Sequence, residues 1–280
     1  MATQFELDCA LMAGLAYQTN RDKINWFPAP DGWQQFSHVP NSTYPTTDGF
    51  EAVAFQNQST SAIVISFAGT DGFFSVDQVT NSELATGFTH NLLTGVPDQL
   101  LQAADYYLQI RAANPSATIT FTGHSLGGGL AALMGVFFGN QAITFDQAPF
   151  ANSAQDSSVL GSGNPLNLLA ADYAKNLKTY LAGKVLTEPD KVAARNELVS
   201  TLSNFLTLRQ ANGGIPNSGL VSTIRVDGEF LGATPFDRIG SPATALTHGD
   251  YFAPFDLHSQ ALLAAFLQSD KSAASSAEGC

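Results

Sequence analysis

The sequence predicts an α/β fold, a mainly parallel sheet with helices on both faces. Two observations predict it. Short runs rich in Ala, Val, Ile and Phe alternate with stretches of helical periodicity, and a run of glycines near residue 125 joins an apolar strand to an apolar helix. At 280 residues the chain exceeds the usual single domain, yet α/β folds of this length often keep one core. One domain over 1–270, with a helical insertion at about 150–220 and a low-complexity tail at 271–280, is expected.

The elements follow in order. Phe5 to Tyr17 carries apolar residues on approximately one helical face and reads as an opening helix packed on the sheet. Residues Asn20 to Asp48, rich in Pro, Asn, Asp and aromatics, read as loop. Gly49 to Phe55 and Ser61 to Phe67 are neighbouring strands separated by Gln56-Asn57-Gln58-Ser59. Gln99 to Ala113 has Leu100, Ala104, Tyr107 and Leu108 at helical spacing and stops at Asn114-Pro115. Strand Ala117 to Thr122, helix Leu130 to Phe138 and strand Gln141 to Phe145 come next.

From Phe150 to about Leu220 two helical stretches, Leu166 to Leu181 and Lys191 to Gln210, lie between segments rich in Asn, Ser and Gly, the pattern of an inserted cap. The sheet resumes at Ser222 to Val226. A last helix spans Leu257 to Gln268.

Composition narrows the function. Hydrophobic residues make up 44% and charged residues 13%, enough apolar material for a large core. A formal charge of −12 repels phosphate backbones and anionic membranes, which argues against nucleic acid as a partner. The two cysteines, Cys9 and Cys280, have neither metal-ligand spacing nor a framework of pairs, so zinc and redox chemistry are not expected. Met1 to Asp8 lacks the basic start and apolar run of a Sec signal, and no apolar stretch approaches the ~20 residues of a bilayer span. A soluble protein, cytoplasmic or exported by a signal-independent route, is the expectation.

The chemistry centres on Gly123-His124-Ser125-Leu126-Gly127. Gly-x-Ser-x-Gly alone is a weak signal, but here an apolar strand enters it and a helix leaves it. That arrangement holds a serine in strained backbone geometry with its hydroxyl exposed. Gly123 and Gly127 lack side chains where strand and helix crowd, and the helix N-terminus directs the N–H of Leu126 toward a developing oxyanion. The competing structural account is a Gly-rich turn with Ser125 as an ordinary helix cap. A phosphate loop is disfavoured because no Lys follows the glycines.

With these residues the chain resembles the class 3 lipase family of α/β-hydrolases, and in particular bacterial lipase-like modules. Three segments carry the likeness: Val64-Ile65-Ser66-Phe67-Ala68-Gly69-Thr70 followed by Asp77 and Asn81, Thr122 to Ala131, and Thr144-Phe145-Asp146-Gln147-Ala148-Pro149. Ala68 stands where the family usually has Arg, and Asp146 where it has Gly. The resemblance implies an α/β-hydrolase fold and places the second oxyanion donor at Thr70. Thr70 also follows a strand and a glycine, the loop position where this fold carries that group; the alternative is a turn threonine.

A serine nucleophile needs a histidine base and a carboxylate to orient it. In this fold the order is Ser, acid, His, which leaves His248 and His258. His258, in Phe255-Asp256-Leu257-His258-Ser259 at the start of the last helix, is preferred, since His248 resembles an earlier family histidine without a catalytic role. For the acid, Val226-Asp227-Gly228-Glu229 resembles the family's strand-end pattern with Glu229 aligned on the Asp. Asp227 would share its face if the strand continued, and Asp146 ends the preceding strand.

The expected reaction is hydrolysis of a carboxylic ester, with a lipid or other ester as substrate, transient contact with a lipid interface, and no metal or organic cofactor. Leu166, Leu168, Leu169 and Tyr173, with Leu198, Leu202, Phe205 and Leu206, either present apolar surface above Ser125 or bury one another against the core. Phe73-Phe74 either lines an acyl pocket or packs. Acyl transfer to another acceptor and a catalytically silent binding module of a larger protein are the rival functions.

Overall fold

The computed structural model describes residues 2–19, 27–40, 49–69, 84–85, 94–155, 171–234, 236–240, 244–246 and 254–277. Helix α1 (Gln4–Leu15) opens with a capping box, in which Thr3 and Glu6 satisfy each other's backbone N–H groups. Strands β1 (Trp33–Val39), β2 (Ala52–Asn57) and β3 (Ile63–Phe67) follow, then α2 (Asp98–Ala113) and β4 (Ile119–His124). Helix α3 (Leu126–Phe138), β5 (Ala142–Phe145), the short α4 (Ala151–Ala154), α5 (Tyr173–Ala182) and α6 (Pro189–Asn212) lead to β6 (Val221–Val226). Strand β7 (Thr244–Leu246), α7 (Pro254–Leu257) and α8 (Gln260–Ala277) complete the described elements.

The seven strands lie in one sheet in chain order, antiparallel from β1 to β3 and parallel from β3 to β7. Right-handed crossovers that always step in one direction deliver their helices to a single face. Accordingly α2, α3, α5 and α6 form one layer, over Ile63, Ile65, Phe67 and Phe121. Among the described residues no crossover helix covers the opposite face. Helices α1 and α8, far apart in sequence, cover it together, packing Leu7, Met12, Leu263 and Leu267 on Val64, Ile143, Phe145 and Ile224. The result is a mainly parallel sheet with helices on both faces, as the strand-helix alternation predicts.

The insertion between β5 and β6 joins this framework. Tyr173, Leu177, Leu198, Leu202 and Phe205 are buried in the same core as α2 and α3, and the rings of Phe205 and Phe137 meet edge to face with centroids 5.1 Å apart. Of the two alternatives for these side chains, mutual burial against the core is the one realised. Leu166, Leu168 and Leu169 lie outside the described residues. Over the Phe205 ring, at 5.5 Å from its centroid, Arg209 reaches back to Asp172 and to the carbonyl oxygens of Ala154 and Gln155, joining the end of α6 to the start of the insertion.

Three expectations are corrected. Part of the expected loop, Trp33–Val39, is strand β1, an edge strand whose one paired side tolerates the polar Gln34, Gln35, Ser37 and His38. A bulge between Gln35 and Ser37 interrupts its alternation, and Phe36 is exposed there. The last helix is two helices broken at 258–259, and the second continues to Ala277 into the Ser/Ala-rich tail, because Ala sustains a helix whatever its sequence complexity.

Packing at the elbow between β4 and α3 leaves no room for side chains. A Cβ on Gly127 would sit 2.1 Å from the Phe67 carbonyl oxygen, and one on Gly123 would sit 2.4 Å from the Gly127 carbonyl. Gly127→Ala is therefore expected to destabilise the protein by more than about 4 kcal/mol, read as loss of folded protein or of the urea midpoint. Leu202→Ala is expected to cost about 2–5 kcal/mol, as for any buried core leucine. A near-neutral value in the same urea titration would show α6 to be a peripheral flap.

Candidate active site

Strands β3 to β6 end on one side of the sheet, where parallel α/β sheets collect their ligand-binding groups. Ser125 is the single residue between β4 and α3, with φ 58° and ψ −124°. This is left-handed territory that a serine adopts only when its surroundings impose it. Three backbone hydrogen bonds do so: Ser125 N–H donates to Phe145 O at 3.0 Å, and Ser125 O accepts from Gly129 and Ala148 N–H, each at 3.0 Å. Strand pairing and helix start thus fix the serine from both sides.

His258 Nε2 lies 2.8 Å from Ser125 Oγ, and His258 Nδ1 lies 3.1 Å from Glu229 Oε2. An ionised carboxylate only accepts, so Nδ1 carries the hydrogen and Nε2 is left to accept the Ser125 proton. The break between α7 and α8 presents His258 at this point. Leu257 is buried beside it, and Gln260 donates to Ala10 O at 2.6 Å, tying the start of α8 to α1.

Glu229 reaches the histidine because β6 stops. Strand pairing ends at Val226, and Gly228 at φ 81° turns the chain, so Asp227 is left at the surface near Arg225 at 3.7 Å. The alternation that would have put Asp227 on the same face as Glu229 does not extend that far. Glu229 instead caps a short 3₁₀ turn at Phe230–Ala233, accepting from Leu231 N–H at 2.7 Å. Its side chain is fully buried, and Oε1 accepts from Arg238 at 3.0 Å. Arg238 carries no local motif signal, and nothing in the sequence pairs it with a residue nine positions earlier.

Beneath the histidine lies a second polar layer. His124 is buried with its ring centroid 4.7 Å from that of His258, and its Nδ1 is 2.9 Å from the Tyr17 hydroxyl. Asp146 is wholly buried at φ 40°, accepts from Val226 N–H through Oδ1 at 2.8 Å, and turns Oδ2 toward His124 Nε2 at 3.9 Å. Asp146 thus occupies a left-handed position suited to the glycine that resembling sequences place there, and it braces the strand leading to Glu229 rather than contacting His258. Burial pushes the Asp146 carboxyl well above its usual range and the His124 imidazole, with further repulsion from His258, well below its own.

His124, Asp146 and His258 each offer a ligand atom within 4.8 Å of the others, the one such metal-capable group found among the described residues. Both ring nitrogens of His258 already have partners in Ser125 and Glu229, so a cation here would have to dismantle that relay.

The N–H of Leu126, first in α3, has no intrahelical acceptor, and no carboxylate occupies the helix's first turn. It remains available to an anion beside Ser125. Gly69 runs alongside: a Cβ there would sit 3.1 Å from Ser125 Cβ and 2.2 Å from the Tyr17 hydroxyl oxygen. Thr70, Phe73, Phe74, Asp77, Asn81 and His248 lie outside the described residues.

The model of the phospholipase-like family described as the Tle-like phospholipase domain matches residues 8–231. The chain belongs to this family. The match takes in Ser125, Asp146 and Glu229, while Arg238 and His258 lie beyond it. Similar solved structures are a mutant form of MDLA from Penicillium cyclopium (15% identity, 89% of this chain and 81% of that one, TM-score 0.41) and a Rhizomucor miehei lipase propeptide complex (16%, 94% and 76%, 0.41). A lipase from Rhizopus microsporus var. chinensis shares 19% identity over 52% of this chain, with a TM-score of 0.36; the chain spans 59% of that lipase's length. The expected membership of a lipase-like family is borne out. Among the described residues no helix is long and apolar enough to cross a membrane.

The buried Asp146 and His124 yield a pH test. With both neutral, the folded pair holds one proton on Asp146, and between pH 3.8 and 6.5, the ordinary values, the unfolded pair also holds one, on His124. The pair adds no slope there. In Asp146→Asn, only the unfolded state binds the His124 proton, so stability falls as pH drops below 6.5, by about 1.4 kcal/mol per unit relative to wild type. In His124→Gln, only the folded state keeps the Asp146 proton, so stability falls by a similar amount per unit as pH rises from 3.8. Urea unfolding at pH 4.5, 5.5 and 6.5 reads both slopes, and parallel curves for all three proteins would refute the neutral pair.

Proposed function

We propose that this chain hydrolyses carboxylic esters of lipids by way of a covalent acyl-enzyme on Ser125. The supporting observation is the relay of Ser125 Oγ, His258 and Glu229, with contacts of 2.8 and 3.1 Å, around a serine held at positive φ. His258 Nε2 takes the Ser125 proton as Oγ attacks the ester carbonyl, and Glu229 stabilises the imidazolium that forms. The carbonyl oxygen becomes an oxyanion held by the N–H of Leu126 and, following the family resemblance, of Thr70. His258 returns the proton to the departing alcohol oxygen. Water, deprotonated by the same nitrogen, then attacks the acyl-enzyme, releasing the fatty acid and Oγ–H.

Membership of a phospholipase-like family favours acyl chains over small esters as the natural substrate, with transient contact at a lipid interface. Acyl transfer to an alcohol uses the same acyl-enzyme and is the second reading, because the parts before deacylation are identical. A silent binding module has less support, since a relay of this geometry has no role in binding alone.

In an assay on p-nitrophenyl esters of graded chain length, Ser125→Ala is expected to lower kcat by at least about 10³-fold and to abolish fluorophosphonate labelling with folding unchanged by circular dichroism. Added alcohol that diverts product to a new ester would move the assignment to acyl transfer. Folded wild type that neither labels nor turns over would leave the binding module as the account.

A further inference from the structure

We propose that Arg238 is a positioning residue for the reaction, fixing Glu229 in one orientation against His258. The proposal rests on the reading of Ser125, His258 and Glu229 as a hydrolytic relay and assigns it a fourth member.

A carboxylate with a fully buried side chain is costly unless every oxygen is engaged. Oε2 of Glu229 is occupied by His258 Nδ1 at 3.1 Å and by Leu231 N–H at 2.7 Å. Oε1 accepts from Arg238 Nη2 at 3.0 Å, the hydrogen bond that keeps the carboxylate from turning about its own axis. The guanidinium is itself held, because Nε donates to Gln147 O at 2.7 Å. Gln147 is buried and bonded in turn, accepting from Ile239 N–H at 3.0 Å and donating to Thr144 Oγ1 at 3.0 Å. Arg238 therefore transmits the rigid end of β5 to the acid of the relay. A single guanidinium fork makes both contacts at once, which an ammonium cannot do with the same geometry.

The experiment measures kcat and KM separately on a p-nitrophenyl ester for wild type, Arg238→Gln and Arg238→Lys, with fluorophosphonate labelling of each. Wild type must label at Ser125 and turn over; if it does neither, the hydrolytic reading and this proposal fall together. Given active wild type, Arg238→Gln is expected to lower kcat about tenfold with little change in KM. Arg238→Lys keeps the charge but not the planar fork and is expected to lower kcat likewise, with KM near its wild-type value. Wild-type kcat in Arg238→Gln, or a lower melting temperature as the only change, overturns the proposal and leaves Arg238 as scaffold. If Arg238→Gln does not fold, Arg238→Lys decides, and wild-type kcat in that variant overturns the positioning role.

Discussion

Everything at this site depends on how closely the backbones of β3, β4 and α3 approach one another. The Phe67 carbonyl stands where a Cβ of Gly127 would be, and Gly123 lies against Gly127, so the strand-to-helix turn has no freedom to relax around Ser125. Strain at the serine is carried by hydrogen bonds to Phe145, Gly129 and Ala148, that is, by two other elements of the framework. A serine set in this way is held in place by the framework alone.

Around this fixed point the remaining groups come from places progressively more remote in sequence. Glu229 depends on the end of β6, Arg238 on its bond to the end of β5, and His258 on the break that separates α7 from α8. Buried polar groups beneath, Tyr17 with His124 and Asp146 with Val226, join α1 and β6 to the same corner. The uncharged state that burial favours for His124 matters here, because a charge on it would stand ring to ring with His258, 4.7 Å between centroids.

What was legible in the sequence follows from how local each signal is. Gly123, Ser125 and Gly127 could be read directly, since strand, turn and helix are contiguous and each glycine answers a steric demand within the motif. The central strands were legible because strands buried on both faces need continuous apolar runs, as in Ile63–Phe67 and Ala142–Phe145. Edge strand β1 was not, since Trp33–Val39 buries little and owes its conformation to the pairing offered by β2. For the carboxylate at His258, residue pattern alone left Glu229, Asp227 and Asp146 open, because the answer turns on where β6 stops. Arg238 left no trace, since its meaning lies wholly in two contacts made across elements.

The pairing of α1 with α8 over the otherwise bare face of the sheet bears on how the molecule is born. During synthesis α1 emerges first, with Leu7, Ala10, Met12 and Ala13 belonging to a layer whose other half, Leu263 and Leu267, is some 250 residues behind. Contacts between such distant segments are slow to form, and until they do an apolar face of the sheet stays open to solvent and to neighbouring chains. The same closing helix follows directly on His258. The meeting of His258 with Ser125 and the sealing of the sheet are thus one late event, so that an incompletely made or partly opened chain is sticky before its histidine reaches its serine.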